Sequence, residues 1–253
     1  MWHMDPEVVS LLANPLTREP LRLVGGALIG PDSNAVFPVR QGIPVFLDQS
    51  RVTGLNRRYQ RLYDRLAPFY DFPYKIYDLL TRGGVGRVRA QYLKELEIKD
   101  NDLVLEVSIG TGANLPYLPP AARYFGLDIS WGMLKKCQKN LAKWRRRAEL
   151  FLGEAEKLPF KDHSFDSIFH MGGINFFNDR AGAIREMIRV AKPGTKILIV
   201  DETGKYARAR YNRPGPIAAP VALIPGEMAE INFEEISGGR LWRLTFRKPS
   251  ATG

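Results

Sequence analysis

The sequence predicts an α/β fold in which a mostly parallel sheet is flanked by helices and followed by an antiparallel hairpin. Short apolar runs alternate with helical patterns between residues 103 and 201, the order expected of βαβ units. A last pair of strand-like runs, between residues 231 and 247, is joined by a serine–glycine–glycine turn. The beginning of the chain has a different, turn-rich texture. We therefore divide the chain into a small β module, residues 1–50, and a larger domain, residues 51–253.

The elements of the larger domain follow one another in a regular order. An apolar stripe at helical spacing predicts a helix over residues 178–191, which the Lys-Pro-Gly sequence at 192–194 should end. An amphipathic pattern predicts an earlier helix over about residues 131–147. The predicted parallel strands are residues 104–107, a strand that ends at Asp128, and residues 150–152, 167–171 and 196–200.

Composition limits the protein class. The chain has 253 residues, 45% of them hydrophobic, which is enough for a full core and a small appendage. No segment approaches the roughly 20 apolar residues that cross a bilayer, and the beginning of the chain lacks a signal-peptide pattern. Cys137 is the single cysteine, so we expect a soluble protein in a reducing cytoplasm, with Cys137 as a packing residue.

The first 50 residues resemble a known small module. An alternating strand is predicted over residues 21–29, a turn at 30–34 and a second extended run over 36–47. This sequence is similar to the zinc-ribbon-like Trm112 family, which includes the activator subunit of tRNA and protein methyltransferases. Asn14 and Thr17 stand where that family has cysteines, so we predict that no metal is bound. The module then either packs over a sheet edge or the cleft mouth, or recruits a partner or substrate.

The most informative stretch is residues 104–115, VLEVSIGTGANL, followed by Gly126-Leu-Asp-Ile-Ser130. An apolar strand ending in an acidic residue, a glycine turn and a second strand ending in aspartate form the pocket for a nucleoside in βαβ units. Leu115 occupies the position where the dinucleotide fingerprint has its third glycine, which argues against NAD or FAD.

These residues resemble motif I of the class I S-adenosylmethionine (SAM) dependent methyltransferases. Residues 150–169 are similar to the GDAExLPF…SFD signature of the same superfamily. The resemblance is to the ubiquinone/menaquinone-methyltransferase-like group, the methyltransferase domain 11 type, and covers about residues 55–247. It implies a Rossmann-like sheet with a C-terminal antiparallel hairpin, and SAM as cofactor without a metal.

The resemblance also implies the cofactor-binding residues. Asp128 corresponds to the acid that holds both ribose hydroxyls. Glu154 stands where an aspartate usually accepts from the adenine amino group, and Ala155 supplies the backbone amide to the ring. Ser108 replaces a glycine. The full predicted set is Tyr70, Glu106, Ser108, Gly110, Thr111, Gly112, Asn114, Asp128, Ile129, Met133, Glu154, Ala155 and His170.

The segment YDRLAPFYD, residues 63–71, resembles the part that folds over the cofactor in those enzymes. A tyrosine hydroxyl there can donate to the methionine carboxylate while the ring excludes water, which suits Tyr70 and Tyr63. An aromatic helix face packed on the sheet is the alternative, and we expect it for Tyr59 and Tyr74.

The loop after the fourth parallel strand should face the reacting methyl group, because ligands bind at the carboxyl ends of such strands. His170 is the candidate general base and Asn175 the candidate substrate-positioning residue. Phe176 and Phe177 are candidates for an apolar wall. A buried structural histidine and ordinary core packing are the respective alternatives. With residues 63–74 and the irregular segment 211–225, this loop should enclose a small acceptor.

The predicted function is methyl transfer from SAM to a small apolar or aromatic acceptor. The alternative acceptor is tRNA or rRNA, because the net charge is +10 and residues 135–147 form a dense basic helix. The charge is also compatible with peripheral contact with anionic lipid. A third hypothesis is that the protein binds SAM without catalysing methyl transfer and acts as a partner protein. The sequence does not identify the methylated atom, and it fits a monomer or a homodimer.

Overall fold

The computed structural model describes residues 4–31, 35–72, 80, 84–211 and 219–250. Within these residues the strands form a four-stranded and a seven-stranded sheet. The small sheet contains β1 (Arg22–Val24), β2 (Ala27–Ile29), β3 (Val36–Arg40) and β4 (Ile43–Pro44). The large sheet contains β5 (Leu103–Val107), β6 (Arg123–Asp128), β7 (Glu149–Leu152), β8 (Phe165–Met171), β9 (Ala191–Glu202), β10 (Ala229–Ile236) and β11 (Leu241–Arg247). The helices are α1 (Pro6–Leu11), α2 (Gly54–Leu66), α3 (Gly84–Leu93), α4 (Trp131–Trp144), α5 (Arg180–Val190) and α6 (Gly204–Tyr211).

The strand order of the large sheet is β10-β11-β9-β8-β5-β6-β7. Strands β7, β6, β5, β8 and β9 run parallel, and β11 pairs antiparallel with both β9 and β10. This confirms the predicted parallel sheet with a C-terminal antiparallel hairpin. The order reverses between β5 and β8, and such a switch point opens a crevice at the carboxyl ends of the strands.

Local capping determines where the helices begin and end. Ser130 begins α4, because its hydroxyl accepts from the Met133 amide at 3.1 Å. The helix ends at Trp144, earlier than predicted, because Arg145 takes a left-handed conformation with φ of 54°. The last parallel strand is longer than predicted. Helix α5 ends at Val190, and β9 begins at Ala191 and includes the Lys-Pro-Gly sequence expected only to stop the helix.

The core lies on both faces of the large sheet, which is why its parallel strands are almost continuously apolar. On one face, phenylalanine side chains pack edge to face, with ring centroids 4.9 Å apart for Phe160 and Phe165. Cys137 is fully buried in the cluster on the other face, and burial raises the pKa of its thiol. It is therefore a packing residue, as expected.

The small module corrects two strand predictions. The extended run expected over residues 36–47 is wrong, because the chain reverses at residues 41–42 and β3 pairs antiparallel with β4. The single strand expected over residues 21–29 is wrong, because the chain reverses at Gly25 and Gly26 to form the β1–β2 hairpin. These glycines have φ of +59° and +83°, the conformation that a tight hairpin turn needs and that side chains disfavour.

The module packs directly on the edge of the large sheet. Val45 forms a parallel bridge with Leu152 of β7, and the Phe46 amide donates to the Leu152 carbonyl at 2.8 Å. Arg18 forms a two-pronged ion pair with Glu186 of α5, at 2.7 and 3.0 Å. The module thus covers the β7 edge, which would otherwise expose unpaired backbone groups.

The turn that contains Asn14 and Thr17 is held by hydrogen bonds. The Asn14 side-chain oxygen accepts from the amides of Leu16 and Thr17, at 2.9 and 3.4 Å, and the Thr17 hydroxyl donates to Glu19 at 2.8 Å. These two side chains therefore close the turn themselves.

Among the described residues, no helix has the length and apolarity needed to span a bilayer.

Candidate functional site

A cleft with an empty volume of about 880 Å³, partly open to solvent, lies at the carboxyl ends of β5 to β8. Its wall includes most of the predicted cofactor-binding residues, namely Tyr70, Glu106, Ser108, Gly110, Thr111, Asn114, Asp128, Ile129, Met133 and Ala155. Gly112, Glu154 and His170 are not part of the lining. Residues 73–74 and 212–218, parts of two segments expected to close the cleft, lie outside the described residues, and Tyr74 is among them.

Glu106, the acidic residue of β5, lies at the bottom of the cleft. One carboxylate oxygen accepts from the Asn114 side-chain amide at 2.6 Å, and Arg89 of α3 donates to the oxygen of the same amide. The other oxygen, Oε2, is buried and has no hydrogen-bond partner among the described residues. Burial raises the pKa of Glu106 to about 8. A buried acceptor of this kind fits a ligand that brings a cationic donor.

Asp128 ends β6 beside it. Its two carboxylate oxygens accept backbone amides, from Gly110 at 2.8 Å and from Ser130 at 2.9 Å. Burial is the main reason why the pKa of Asp128 is raised to about 6. A carboxylate has about four lone pairs, so acceptor capacity remains for a ligand hydroxyl.

The glycine turn brings the backbone close to the cleft. Ser108 has a φ of 62° and Gly110 a φ of 56°, so the chain is left-handed on both sides of Ile109. Gly112 does not line the cleft, but no larger residue fits at this position, because a Cβ atom would lie 2.7 Å from the Cys137 sulfur. Gly112 is thus required by packing against α4.

Helix α2 and the turn after it lie over this glycine turn. Asp64 accepts from the Ser130 hydroxyl at 2.6 Å and from the Gly132 amide at 2.8 Å. Further along, the Thr111 hydroxyl donates to Asp71 at 2.6 Å. These bonds fix the aspartates of the YDRLAPFYD segment to the loops that follow β5 and β6.

Aromatic side chains form the opposite wall of the cleft. The Tyr59 ring stacks on Phe176 with centroids 4.0 Å apart, and the rings of Tyr63 and Tyr70 meet edge to face at 5.9 Å. Phe177 lines the same side. Tyr59, which we expected to be a packing residue, is both buried and part of the cleft wall.

Glu154 lies next to the cleft without lining it. Its carboxylate accepts from the Asn56 side chain of α2 at 3.0 Å. Glu156, two residues later, lines the cleft together with Asn56, and burial raises the pKa of Glu156. Its Oε1 accepts from the Asn178 amide at 3.0 Å.

The two predicted catalytic residues lie behind the cleft wall. His170 is fully buried: Nδ1 is 2.9 Å from the Val107 carbonyl oxygen, Nε2 has no hydrogen-bond partner among the described residues, and burial lowers its pKa to about 4. The Asn175 side chain donates to Asp201 at 3.0 Å and accepts from Arg180 at 3.1 Å. Both arrangements are those of residues that hold the loop after β8 in place.

Among the amide and charged side chains of the cleft wall, the sequence did not predict Asn56, Arg89 and Glu156. Asn56 and Arg89 come from helices that precede the sheet in the chain, and no spacing rule links them to the strand-end motif. Glu156 had a signal, because it lies in the same acidic segment as Glu154. Only the turn after β7 determines which of the two glutamates faces the cleft.

Comparisons with known proteins agree with this geometry. Residues 105–199 match the family model described as a methyltransferase domain. The chain is 33% identical over 141 residues to the demethylmenaquinone methyltransferase of Renibacterium salmoninarum, covering 55% of this chain and 56% of that protein. It is 31% identical over 157 residues to the ubiquinone/menaquinone biosynthesis C-methyltransferase UbiE of Geobacter sulfurreducens, covering 60% of each. The match thus spans just over half the length of these curated relatives.

A solved structure extends the likeness in fold. A chain from the complex between the Haloferax volcanii Trm112 methyltransferase activator and a methyltransferase superposes with a TM-score of 0.59 and 16% identity. The superposition covers 74% of this chain and 97% of that one. The seven-stranded sheet with its strand-end cleft is a Rossmann-like methyltransferase fold, and residues 105–199 within it match a methyltransferase domain.

Proposed function

We propose that this protein transfers the methyl group of SAM to a small apolar or aromatic acceptor. The observation that carries the proposal is the division of one cleft into two walls. Buried carboxylates, Glu106 and Asp128, form one part of its lining, and the rings of Tyr59, Phe176 and Phe177 form another. The first wall suits the amino acid and ribose of SAM, and the second suits a flat apolar molecule.

The residues of the polar wall fit the cofactor. Oε2 of Glu106 would accept from the amino group, and the remaining lone pairs of Asp128 would accept from the ribose hydroxyls. Arg89, which lines the same end of the cleft, would attract the methionine carboxylate. When bound, SAM supplies a methyl group on a positively charged sulfur, which needs no acid to leave.

The chain would then contribute alignment and exclusion of water. The hydrogen bonds that Asp64 and Asp71 accept hold α2 and the turn after it against the loops that follow β5 and β6. The tyrosines of α2 therefore cover the cleft. Holding acceptor and methyl donor in line supplies much of the acceleration in such transfers. The relatives named as quinone methyltransferases make a quinol the first acceptor to test.

RNA remains the second candidate, because α4 carries four lysines and no acidic residue. None of these lysines lines the cleft, and Lys139 and Lys143 are exposed. An RNA enzyme would need an open basic path from this helix to the methyl group.

An acceptor screen with labelled SAM tests the proposal. We expect transfer to a reduced naphthoquinone or a phenol, at a rate that changes little between low and moderate salt. The matched variant Lys139→Glu/Lys143→Glu should retain this activity. Transfer to bulk RNA that disappears at moderate salt and is lost in the same variant would overturn the proposal in favour of RNA.

A further inference from the structure

The outer face of α2 carries exposed apolar and basic side chains side by side. Leu55, Leu62 and Leu66 are 41%, 37% and 43% exposed. They are spaced by seven and four residues and therefore lie on one face of the helix. Hydrogen bonds from the Phe69 amide to Leu66 and from the Phe72 amide to Phe69 continue the winding beyond the helix, where the two rings are 74% and 65% exposed.

The neighbouring edge of the same face is strongly basic. Arg58, Arg61 and Arg65 are exposed, and none of them forms an ion pair with another described residue. The one acidic residue of α2, Asp64, points inward and accepts from Ser130. The basic helix α4 adjoins this face, since the Lys136 ammonium donates to the Pro68 carbonyl at 3.4 Å.

We propose that this face, made of Leu55, Leu62, Leu66, Phe69, Phe72 and the three arginines, docks on the surface of an anionic lipid bilayer. Apolar side chains that insert into the headgroup region, flanked by unpaired cations that attract acidic lipids, are the features of an interfacial helix. The three leucines favour lipid over RNA, because leucine and phenylalanine both insert into lipid, whereas only the two phenylalanines could stack on bases.

The docking face lies on the same helix as part of the cleft wall, which gives docking a functional role. The inner side of α2 lines the cleft with Asn56, Tyr59 and Tyr63. Docking by the outer side would therefore place the cleft next to the membrane, where a lipophilic acceptor is dissolved. This last step rests on the proposed function, but the docking itself does not depend on methyl transfer.

Vesicle co-sedimentation of the full chain, without SAM or acceptor, tests the docking. We expect binding to phosphatidylcholine vesicles that contain about one third phosphatidylserine, weak binding to phosphatidylcholine alone, and loss of binding at high salt. Arg58→Glu/Arg65→Glu should lower the partition coefficient by at least about tenfold. Phe69→Gln/Phe72→Gln should lower it to a similar extent, because the rings no longer enter the bilayer.

Matched controls lie on the small module. Arg22→Glu/Arg40→Glu makes the same charge change, and Val24→Thr/Val36→Thr replaces two exposed apolar side chains at a distance from α2. Both should bind vesicles like the wild type. Unchanged S-adenosylhomocysteine (SAH) affinity in the α2 variants shows that they are folded.

Three results would overturn the proposal. One is equal vesicle binding by the α2 variants and the module variants. A second is a dimer, measured by light scattering, that dissociates in Phe69→Gln/Phe72→Gln. The third is a wild-type protein that does not bind anionic vesicles but binds RNA in a salt-sensitive way, with the RNA binding lost in Arg58→Glu/Arg65→Glu. Failure of methyl transfer with intact vesicle binding would instead count only against the proposed function.

Discussion

Around Glu106 and Asp128 the cleft is made of buried carboxylates at strand ends, whereas its opposite wall is made of rings from α2 and from the loop after β8. The carboxylates accept hydrogen bonds from residues within 18 positions in the chain, as in the pair Gly110 and Asp128. The aromatic wall joins Tyr59 to Phe176, more than a hundred residues apart. One part of the site is therefore encoded locally in the sequence, while the other part depends on how distant elements pack together.

The largest difference in ligand affinity is expected between two strand-end aspartates. Asp128 lines the cleft, whereas Asp201 holds the loop that carries the aromatic residues. Asp128 and Asp201 are both buried, and burial raises the pKa of each to about 6. Asp128→Asn should weaken SAH binding by roughly tenfold to a hundredfold, because the ribose hydroxyls lose a charged acceptor. Asp201→Asn, which loosens the loop held through Asn175, should leave SAH affinity nearly unchanged. Titration calorimetry measures both, and equal losses would remove the distinction between the walls.

The pKa of Glu106 predicts how SAH affinity depends on pH. With a pKa of about 8, this carboxyl is protonated in the ligand-free protein at neutral pH, and the cationic amino group of SAH favours its ionised form. Binding should therefore release a proton, and affinity should rise by up to about tenfold per unit between about pH 6 and pH 7.5. Glu106→Gln should bind more weakly with a flat pH profile. Calorimetry in buffers of different ionisation enthalpy counts the proton, and no release would contradict the role of Glu106.

His170 can be tested with two variants that separate its nitrogens. Asparagine keeps a donor near the Nδ1 position but lacks Nε2, whereas leucine lacks both. For a structural histidine, His170→Asn should keep the rate of transfer and the stability, and His170→Leu should lose about 1–3 kcal/mol of stability with the Val107 hydrogen bond. A rate that falls equally in both variants, without loss of stability, would restore the predicted general base.

A smaller effect is expected at Ser108, whose φ of 62° disfavours any side chain. Ser108→Gly should raise the free energy of unfolding by up to about 1 kcal/mol and change SAH affinity by less than about twofold. Arg145→Gly, at the left-handed end of α4, is the control outside the cleft and should give a similar gain. Denaturant unfolding measures both, and a large loss of SAH affinity in Ser108→Gly would show that the hydroxyl binds the cofactor.

The least change is expected from a chelator. Asn14 and Thr17 provide no thiolates, so purified protein should contain no stoichiometric zinc, and its melting temperature should not fall with EDTA. Elemental analysis that finds about one zinc per chain after dialysis would mean that the module has been misinterpreted.

The extent to which sequence predicted the molecule follows the same division between local and distant contacts. The parallel strands and the hairpin followed from periodicity, and the strand-end residues Glu106 and Asp128 lie together in the cleft wall as the motif implied. Asn56 could not be found, because its partners Glu154 and Glu156 lie 98 and 100 residues away. His170 was assigned by its place at a strand end, but its side chain is fully buried, with Nδ1 2.9 Å from the Val107 carbonyl oxygen.

The central claim is that the strand-end carboxylates bind the cofactor, and titration of the wild-type protein with SAH tests it most directly. The account predicts one site per chain with a dissociation constant in the micromolar range, roughly −8 kcal/mol, and no heat with NADH. Tight binding of NADH in preference to SAH, or no binding of SAH at millimolar concentration, would contradict it.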